Sequence, residues 1–124
     1  GCSLLINLKK FPDCPQFDRD YFLYYEDCDF CLRYGKQGHI IAITGKIQVI
    51  HQPSSITNRN IYLKIEHTIY SYLLTLQKHA SNLILVYRFV RISLSAVISL
   101  PFQRKIAMSE IKGVLKYCQR IVSK

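Results

Sequence analysis

An alternation of apolar and polar residues between Gly38 and Pro53 constrains the fold of this chain more than any other feature. The apolar residues are Ile41, Ile43, Ile47 and Val49, and the residues between them include Ala42, Thr44, Lys46 and Gln48. A period of two is the pattern of a strand with one buried face. We therefore predict a core β-strand over residues 39–52.

Two other segments predict strands that would pair with it. Residues 21–34 are aromatic and apolar and end at the turn Gly35–Gly38, which is typical of a hairpin. Residues 83–100 place apolar side chains at most even positions, interrupted by Arg88, so they predict a long strand or a bent hairpin. The apolar run at residues 3–8 predicts a short edge strand.

Two segments towards the C-terminus carry helical periodicity. Residues 60–79 fit one helix slightly better than two strands, since the segment contains no turn signal. After Ser109, a predicted N-cap, apolar residues recur with helical spacing and Lys112, Lys116, Arg120 and Lys124 form a basic ridge. We predict an amphipathic C-terminal helix.

Together these elements predict an α+β fold: a small antiparallel β-sheet or OB-like barrel, a C-terminal amphipathic helix and a central helix or strand pair. Gly45 within the first long strand is similar to the mid-strand glycine that lets OB-fold strands curve. The 124 residues suit a single domain, residues 1–124, which is either processed or a piece of a longer chain, since it begins with Gly.

The charge is strongly positive and unevenly distributed. The chain has 17 Lys and Arg against 8 Asp and Glu, a net charge of +9. Six of the eight acids precede residue 30, whereas residues 30–124 hold 14 basic residues and two acidic ones, which gives +12. This excess predicts a polyanionic partner.

The chain has nine tyrosines besides these 14 cations, and single-stranded nucleic acid is bound by aromatic faces beside a cationic groove. The leading functional prediction is therefore a non-enzymatic domain, or a subunit of a larger assembly, that binds single-stranded DNA or RNA. The predicted binding residues are Lys46, Arg59, Tyr62, Lys64, Arg88 and Tyr34. Lys46, Tyr62 and Lys64 would share the polar face of the sheet.

Two alternatives come from the apolar segments. A protein-interaction module would dock a partner through an apolar strand or helix. A membrane-associated accessory protein would use Leu83–Leu100, because the 20 residues from Leu83 to Phe102 are long enough to span a bilayer. Two arginines in that segment would each cost about 2.5–3.5 kcal/mol on insertion.

The cysteines bear on location and on metal binding. The chain has five cysteines, an odd number without a cleavable signal peptide before them, which predicts a nuclear or cytoplasmic location. Cys28 and Cys31 have the spacing of half a zinc site, which His39 and either Cys14 or His51 would complete. The alternative is that both thiols are buried or half-buried and no cofactor is bound.

Catalysis has little support in the sequence. The chain contains none of the metalloprotease, nucleophile-elbow, Walker or dinucleotide-binding motifs. Six of its eight carboxylates crowd into one short segment, and the four histidines are 12 to 16 residues apart. We predict that the protein is not an enzyme and has no small-molecule substrate.

Overall fold

The computed structural model describes residues 3–46, 48–50 and 60–123. Within these ranges the regular structure is helical throughout, with no β-strand. A short 3-10 helix, Leu8–Lys10, comes first. Four α-helices follow: α1 (Glu26–Lys36), α2 (Ile61–His79), α3 (Asn82–Ser99) and α4 (Arg104–Val122).

Helices α2, α3 and α4 pack around one core, with α4 in contact with both of the others. Lys105 lies over the ring of Tyr62 and Lys116 lies over the ring of Tyr70, so α2 and α4 run in the same direction. The chain returns between them through α3, which is antiparallel to α4. The buried centre comprises Tyr21, Tyr70, Leu73, Leu74 and Tyr117.

The segment before α1 is held along α2 by hydrogen bonds from α2 hydroxyl groups. Ser71 donates to the carbonyl oxygen of Leu23 at 2.8 Å, and Tyr70 donates to that of Asp20 at 3.3 Å. These bonds give a partner to two backbone carbonyl oxygens that lie outside any helix or sheet. The segment therefore contributes to the core although it has no regular structure.

Helix α1 has the charge distribution that a helix favours. Glu26, Asp27 and Asp29 lie in its first turn, and Arg33 and Lys36 lie in its last turn. Acids at the N-terminus and bases at the C-terminus both stabilise the helix dipole. The predicted hairpin over residues 21–34 is therefore wrong, because its aromatic composition suggested strand whereas its charges favour helix.

The predicted strand over residues 83–100 is also wrong, since nearly all of it forms α3. The periodicity of a nearly continuous apolar run does not distinguish a strand from a helix. In this run, apolar residues recur both at the two-residue spacing of a strand and at the three-to-four-residue spacing of a helix. Length decides the question: 18 residues without Gly or Pro exceed the usual length of a strand and suit a helix.

The predicted strand over residues 39–52 is not formed in its described part, and residues 47, 51 and 52 lie outside the described residues. The side chains of Ile40, Ile43 and Ile50 are almost fully exposed. A strand needs a neighbour for its backbone hydrogen bonds, and both predicted neighbours fold as helices. The α+β fold and the OB-like barrel are therefore wrong, and the described chain is all-helical.

The central and C-terminal segments both form helices, as α2 and α4. The predicted N-cap of the last helix, Ser109, is wrong, because α4 begins six residues earlier, after Gln103. Ser109 lies inside α4, where its hydroxyl donates to the carbonyl oxygen of Lys105 at 2.9 Å. A serine within a helix bonds in this way to the preceding turn, so serine alone does not mark a helix start.

Candidate functional site

The most distinctive surface of the protein is the side of α3 that faces away from α4. We call this surface the outer face. It comprises Leu83, Tyr87, Val90, Leu94, Val97 and Ile98, and all six side chains are exposed. Exposed apolar residues are ordinary when scattered, but a contiguous set on one helix face indicates a contact surface.

The spacing of these residues follows from helix geometry. Leu83, Tyr87, Val90, Leu94 and Val97 are separated by steps of four, three, four and three residues, which keeps them in one row along the helix. Val86 and Ile84 are also exposed and extend the apolar band on either side. At 100° per residue the whole band is about 160° wide.

The opposite side of α3 packs against the core. Leu85, Phe89 and Ile92 lie against the core residues, and Ala96 is fully buried. Ala96 is the one fully buried residue among the 18 of α3, and the length and composition of this helix would allow it to cross a membrane. Helix α3 therefore has two apolar sides, and the fold uses only one of them.

Cations, but no acids, accompany the outer face. Helix α3 contains Arg88 and Arg91 and no Asp or Glu. Arg91 is exposed at the edge of the apolar band, and the guanidinium of Arg88 lies 5.7 Å from the ring centroid of Tyr87. Residues 82–123 hold seven basic residues against Glu110 alone, a net charge of +6.

Several described acids form ion pairs away from α3. Asp18 pairs with Lys78 at the end of α2, and Asp20 pairs with Arg120 near the end of α4. Burial alone would raise the pKa of Asp18, but the hydrogen bond from Lys78, with other favourable contacts, holds that pKa below its ordinary value. These acids consequently offset cations at the helix ends and leave the outer face positive.

A buried ion-pair cluster joins α1 to the end of α2. The fully buried carboxylate of Asp29 accepts hydrogen bonds from Arg33 Nε and His79 Nε2, each at 2.8 Å. The other ring nitrogen of His79 lies 3.3 Å from the Lys36 ammonium. Both oxygens of Asp29 are thus satisfied by basic partners, which is what a structural buried carboxylate requires.

The residues predicted to bind nucleic acid lie on separate elements. Tyr34 is on α1, Tyr62 and Lys64 are on α2, Arg88 is on α3, and Lys46 is in the irregular segment before α2. Arg59 lies outside the described residues. The sheet face that was expected to group Lys46, Tyr62 and Lys64 does not exist, so nucleic-acid binding stays a prediction without a defined surface.

Lys64 and Tyr34 make contacts with other parts of the protein. Lys64 Nζ lies 6.0 Å from the ring centroid of Tyr24, and the hydroxyl of Tyr34 accepts a hydrogen bond from the backbone N–H of Gln16 at 2.8 Å. Tyr34 also packs beside the rings of Phe11 and Phe30. A tyrosine in such an aromatic cluster has its ring faces partly covered by protein, which hinders base stacking.

The predicted zinc ligands are not gathered in the described structure. Cys28 and Cys31 lie on α1, and the ring of His39 stacks on Phe11 with centroids 4.0 Å apart. Across the described residues, no group of three His, Cys, Asp or Glu side chains is arranged to hold a metal ion. His51, one of the two suggested fourth ligands, lies outside those residues.

The outer face was not identified from the sequence, although part of its signal was visible. The four-three spacing from Leu83 to Val97 distinguishes an exposed row only once the segment is known to be helical.

Comparisons with protein-family models, with curated proteins and with solved structures give no match to this chain.

Proposed function

We propose that this chain is a non-enzymatic membrane-binding domain that rests on an anionic bilayer surface through the outer face of α3. The observation that carries the proposal is the exposure of six apolar side chains on a helix whose other side is already packed. Removing apolar area from water is worth roughly 25 cal/mol per Å². Contact with lipid would bury this band without any change in the core.

The charge of the same region supports an anionic surface. Helix α3 carries Arg88 and Arg91 and no acid, so its own net charge is +2. Each basic residue near an anionic leaflet contributes about 1 kcal/mol to binding. The predicted intracellular location agrees with this, because anionic lipids are concentrated in the cytoplasmic leaflet.

The proposed helix lies in the plane of the membrane surface and does not span the bilayer. Leu85, Phe89 and Ile92 hold α3 in the folded unit with α4, and α4 carries Lys105 and Lys112 on its exposed side. Spanning would either detach α3 or carry those charges into hydrocarbon, at several kcal/mol each. Amphipathic surfaces of this kind bury their apolar side about 5–10 Å into the interface.

A second helix is a less suitable occupant of the outer face. The four-three spacing fits a coiled-coil seam, but such a seam is narrower than the band of about 160°. Coiled coils also place acids beside bases along the seam, whereas this band is bordered by Arg91 and by apolar or hydroxyl side chains. Two copies packed through this band would offer no acid of α3 to pair with Arg91.

The test is flotation with lipid vesicles. Phosphatidylcholine vesicles with and without phosphatidylglycerol are mixed with the wild-type chain and with Leu94→Asp. We expect stronger binding to the anionic vesicles and at least a tenfold loss with Leu94→Asp, which corresponds to about 1.4 kcal/mol. The matched control is Leu32→Asp on α1, because Leu32 is 43% exposed and Leu94 is 56% exposed.

Three results would overturn the proposal. The first is a wild-type chain that does not float with anionic vesicles, and the second is a Leu94→Asp chain that floats equally well while circular dichroism shows both to be folded. The third is a lipid-free dimer that Leu94→Asp dissociates, which would make a second copy the occupant. Salt-sensitive binding to single-stranded DNA, lost in Lys46→Glu/Lys64→Glu, would favour the nucleic-acid prediction if vesicle binding is absent.

A further inference from the structure

The outer face contains an open groove of about 660 Å³ that runs along α3. One side of the groove is the apolar stripe Val90, Leu94 and Ile98, and the other is the polar stripe Arg91, Ser95 and Ser99. Each stripe repeats every four residues, so the two follow the helix side by side. The groove thus offers an apolar wall and a polar wall to the same ligand.

The polar wall has a cation that the protein does not use. Arg91 is exposed and has no ion pair with any of the described residues. One turn towards the C-terminus, the hydroxyl of Ser95 is also exposed. A guanidinium can donate two parallel hydrogen bonds to one phosphate, and a serine hydroxyl can donate a third.

We propose that this groove binds one molecule of an anionic phospholipid. Its phosphate would contact the guanidinium of Arg91 and the hydroxyl of Ser95, and an acyl chain would lie along Val90, Leu94 and Ile98. This inference rests on the proposed function and adds a specific headgroup contact to it.

Arg88 reinforces this assignment from the preceding turn. Its guanidinium is close to the ring of Tyr87, which is exposed at the start of the groove. Tyrosine and arginine together are typical of side chains at the level of lipid headgroups, where an apolar body meets a polar tip. Helix α3 has no carboxylate that would compete with the lipid phosphate for either arginine.

The experiment separates a phosphate site from diffuse charge. Arg91→Lys keeps the charge but loses the planar fork, and Ser95→Ala removes one donor. The measured quantity is the ratio of binding to vesicles containing phosphatidylglycerol over binding to phosphatidylcholine vesicles. We expect each variant to lower that ratio at least threefold, because the choline ammonium of phosphatidylcholine already neutralises the phosphate of that lipid, whereas the phosphate of phosphatidylglycerol is available to Arg91 and Ser95. Arg104→Lys, an exposed arginine at the start of α4, is the control and should keep the wild-type ratio.

The outcomes distinguish the two proposals. If both variants keep the wild-type ratio, diffuse charge explains the lipid preference, and this inference is overturned while membrane binding stands. If the wild-type chain binds neither kind of vesicle, the proposed function fails and the lipid site fails with it. If only Arg91→Lys and Ser95→Ala lose the preference and Arg104→Lys does not, the groove is the site of headgroup recognition.

Discussion

Gly113 of α4 packs directly against Ile69 of α2. A Cβ atom at Gly113 would lie 2.9 Å from the Cβ of Ile69 and 2.7 Å from the carbonyl oxygen of Glu66, both closer than real contacts allow. The second atom belongs to the backbone of α2, so the helix itself would have to move. Glycine at this position therefore sets the distance between the two parallel helices.

We expect Gly113→Ala to destabilise the protein. Overpacking a close helix contact typically costs about 1–3 kcal/mol, whereas alanine gains about 1 kcal/mol in helix propensity. Because the clash involves the backbone of α2, the cost should lie near the upper end of that range, and the net loss in the free energy of unfolding, measured by urea denaturation, should be about 2 kcal/mol. The control is Gly35→Ala on α1, where a Cβ would approach only the terminal methyl of Ile41. Equal stability of the two variants would contradict the close approach.

Removing the carboxylate of Asp29 should be among the most damaging single changes to stability. Asp29→Ala would leave Arg33 and His79 without the partner that each contacts at 2.8 Å. Breaking a buried ion pair costs about 3–5 kcal/mol, and partial exposure of Arg33 places the expected loss near the lower end. Asp13→Ala, at an exposed site, should change stability by less than about 0.5 kcal/mol. A loss below about 1 kcal/mol for Asp29→Ala would show that the cluster contributes little.

His67 should make stability depend on pH. Its ring is buried beside Phe22, and Nδ1 has no hydrogen-bond partner among the described residues. Burial, reinforced by the charge of Lys116, lowers the pKa of His67 below 6.5. The unfolded chain therefore binds the proton more readily, and this residue lowers stability as pH falls from its unfolded pKa to its folded pKa.

The variant His67→Gln isolates that contribution, because glutamine does not titrate. Between about pH 7.5 and pH 5.5, the free energy of unfolding of the wild type should decrease more than that of His67→Gln. The other histidines are present in both chains, so their titration cancels in the comparison. Parallel stability curves would mean that His67 is not shielded from water in the folded protein.

The helices that the sequence predicts are those with one apolar side. In α4, Val114 and Cys118 lie against the core while Lys112 is exposed, so the helical period is visible in the sequence. In α3, Phe89 faces the core but its neighbour Val90 faces solvent, and both are apolar. The hydrophobic periodicity of α3 does not distinguish these two residues, because apolar residues occur both on the side that packs in the core and on the outer face.

The outer face could not be recognised from the sequence for the same reason. The sequence identifies Arg88 as a cation beside aromatic residues, but its neighbours on the surface can be named only once residues 82–99 are known to be helical. In a strand, Val90 and Leu94 would share a face with Arg88, whereas in the helix they line a groove with Arg91. Which residues form a site depends on the period of the element that holds them.

The orientation of α3 on a membrane can be tested with single tryptophans, since the natural chain has none. Val90→Trp would place an indole in the outer face, whereas Gln37→Trp would place one at an exposed site after α1 without changing the charge. With anionic vesicles, fluorescence of Val90→Trp should shift to shorter wavelength and be quenched by brominated acyl chains, because its indole enters an apolar environment. Fluorescence of Gln37→Trp should stay at the wavelength of an indole in water. A shift at both positions would indicate unfolding on the vesicle, and a shift at Gln37→Trp alone would place the membrane contact on another side of the protein.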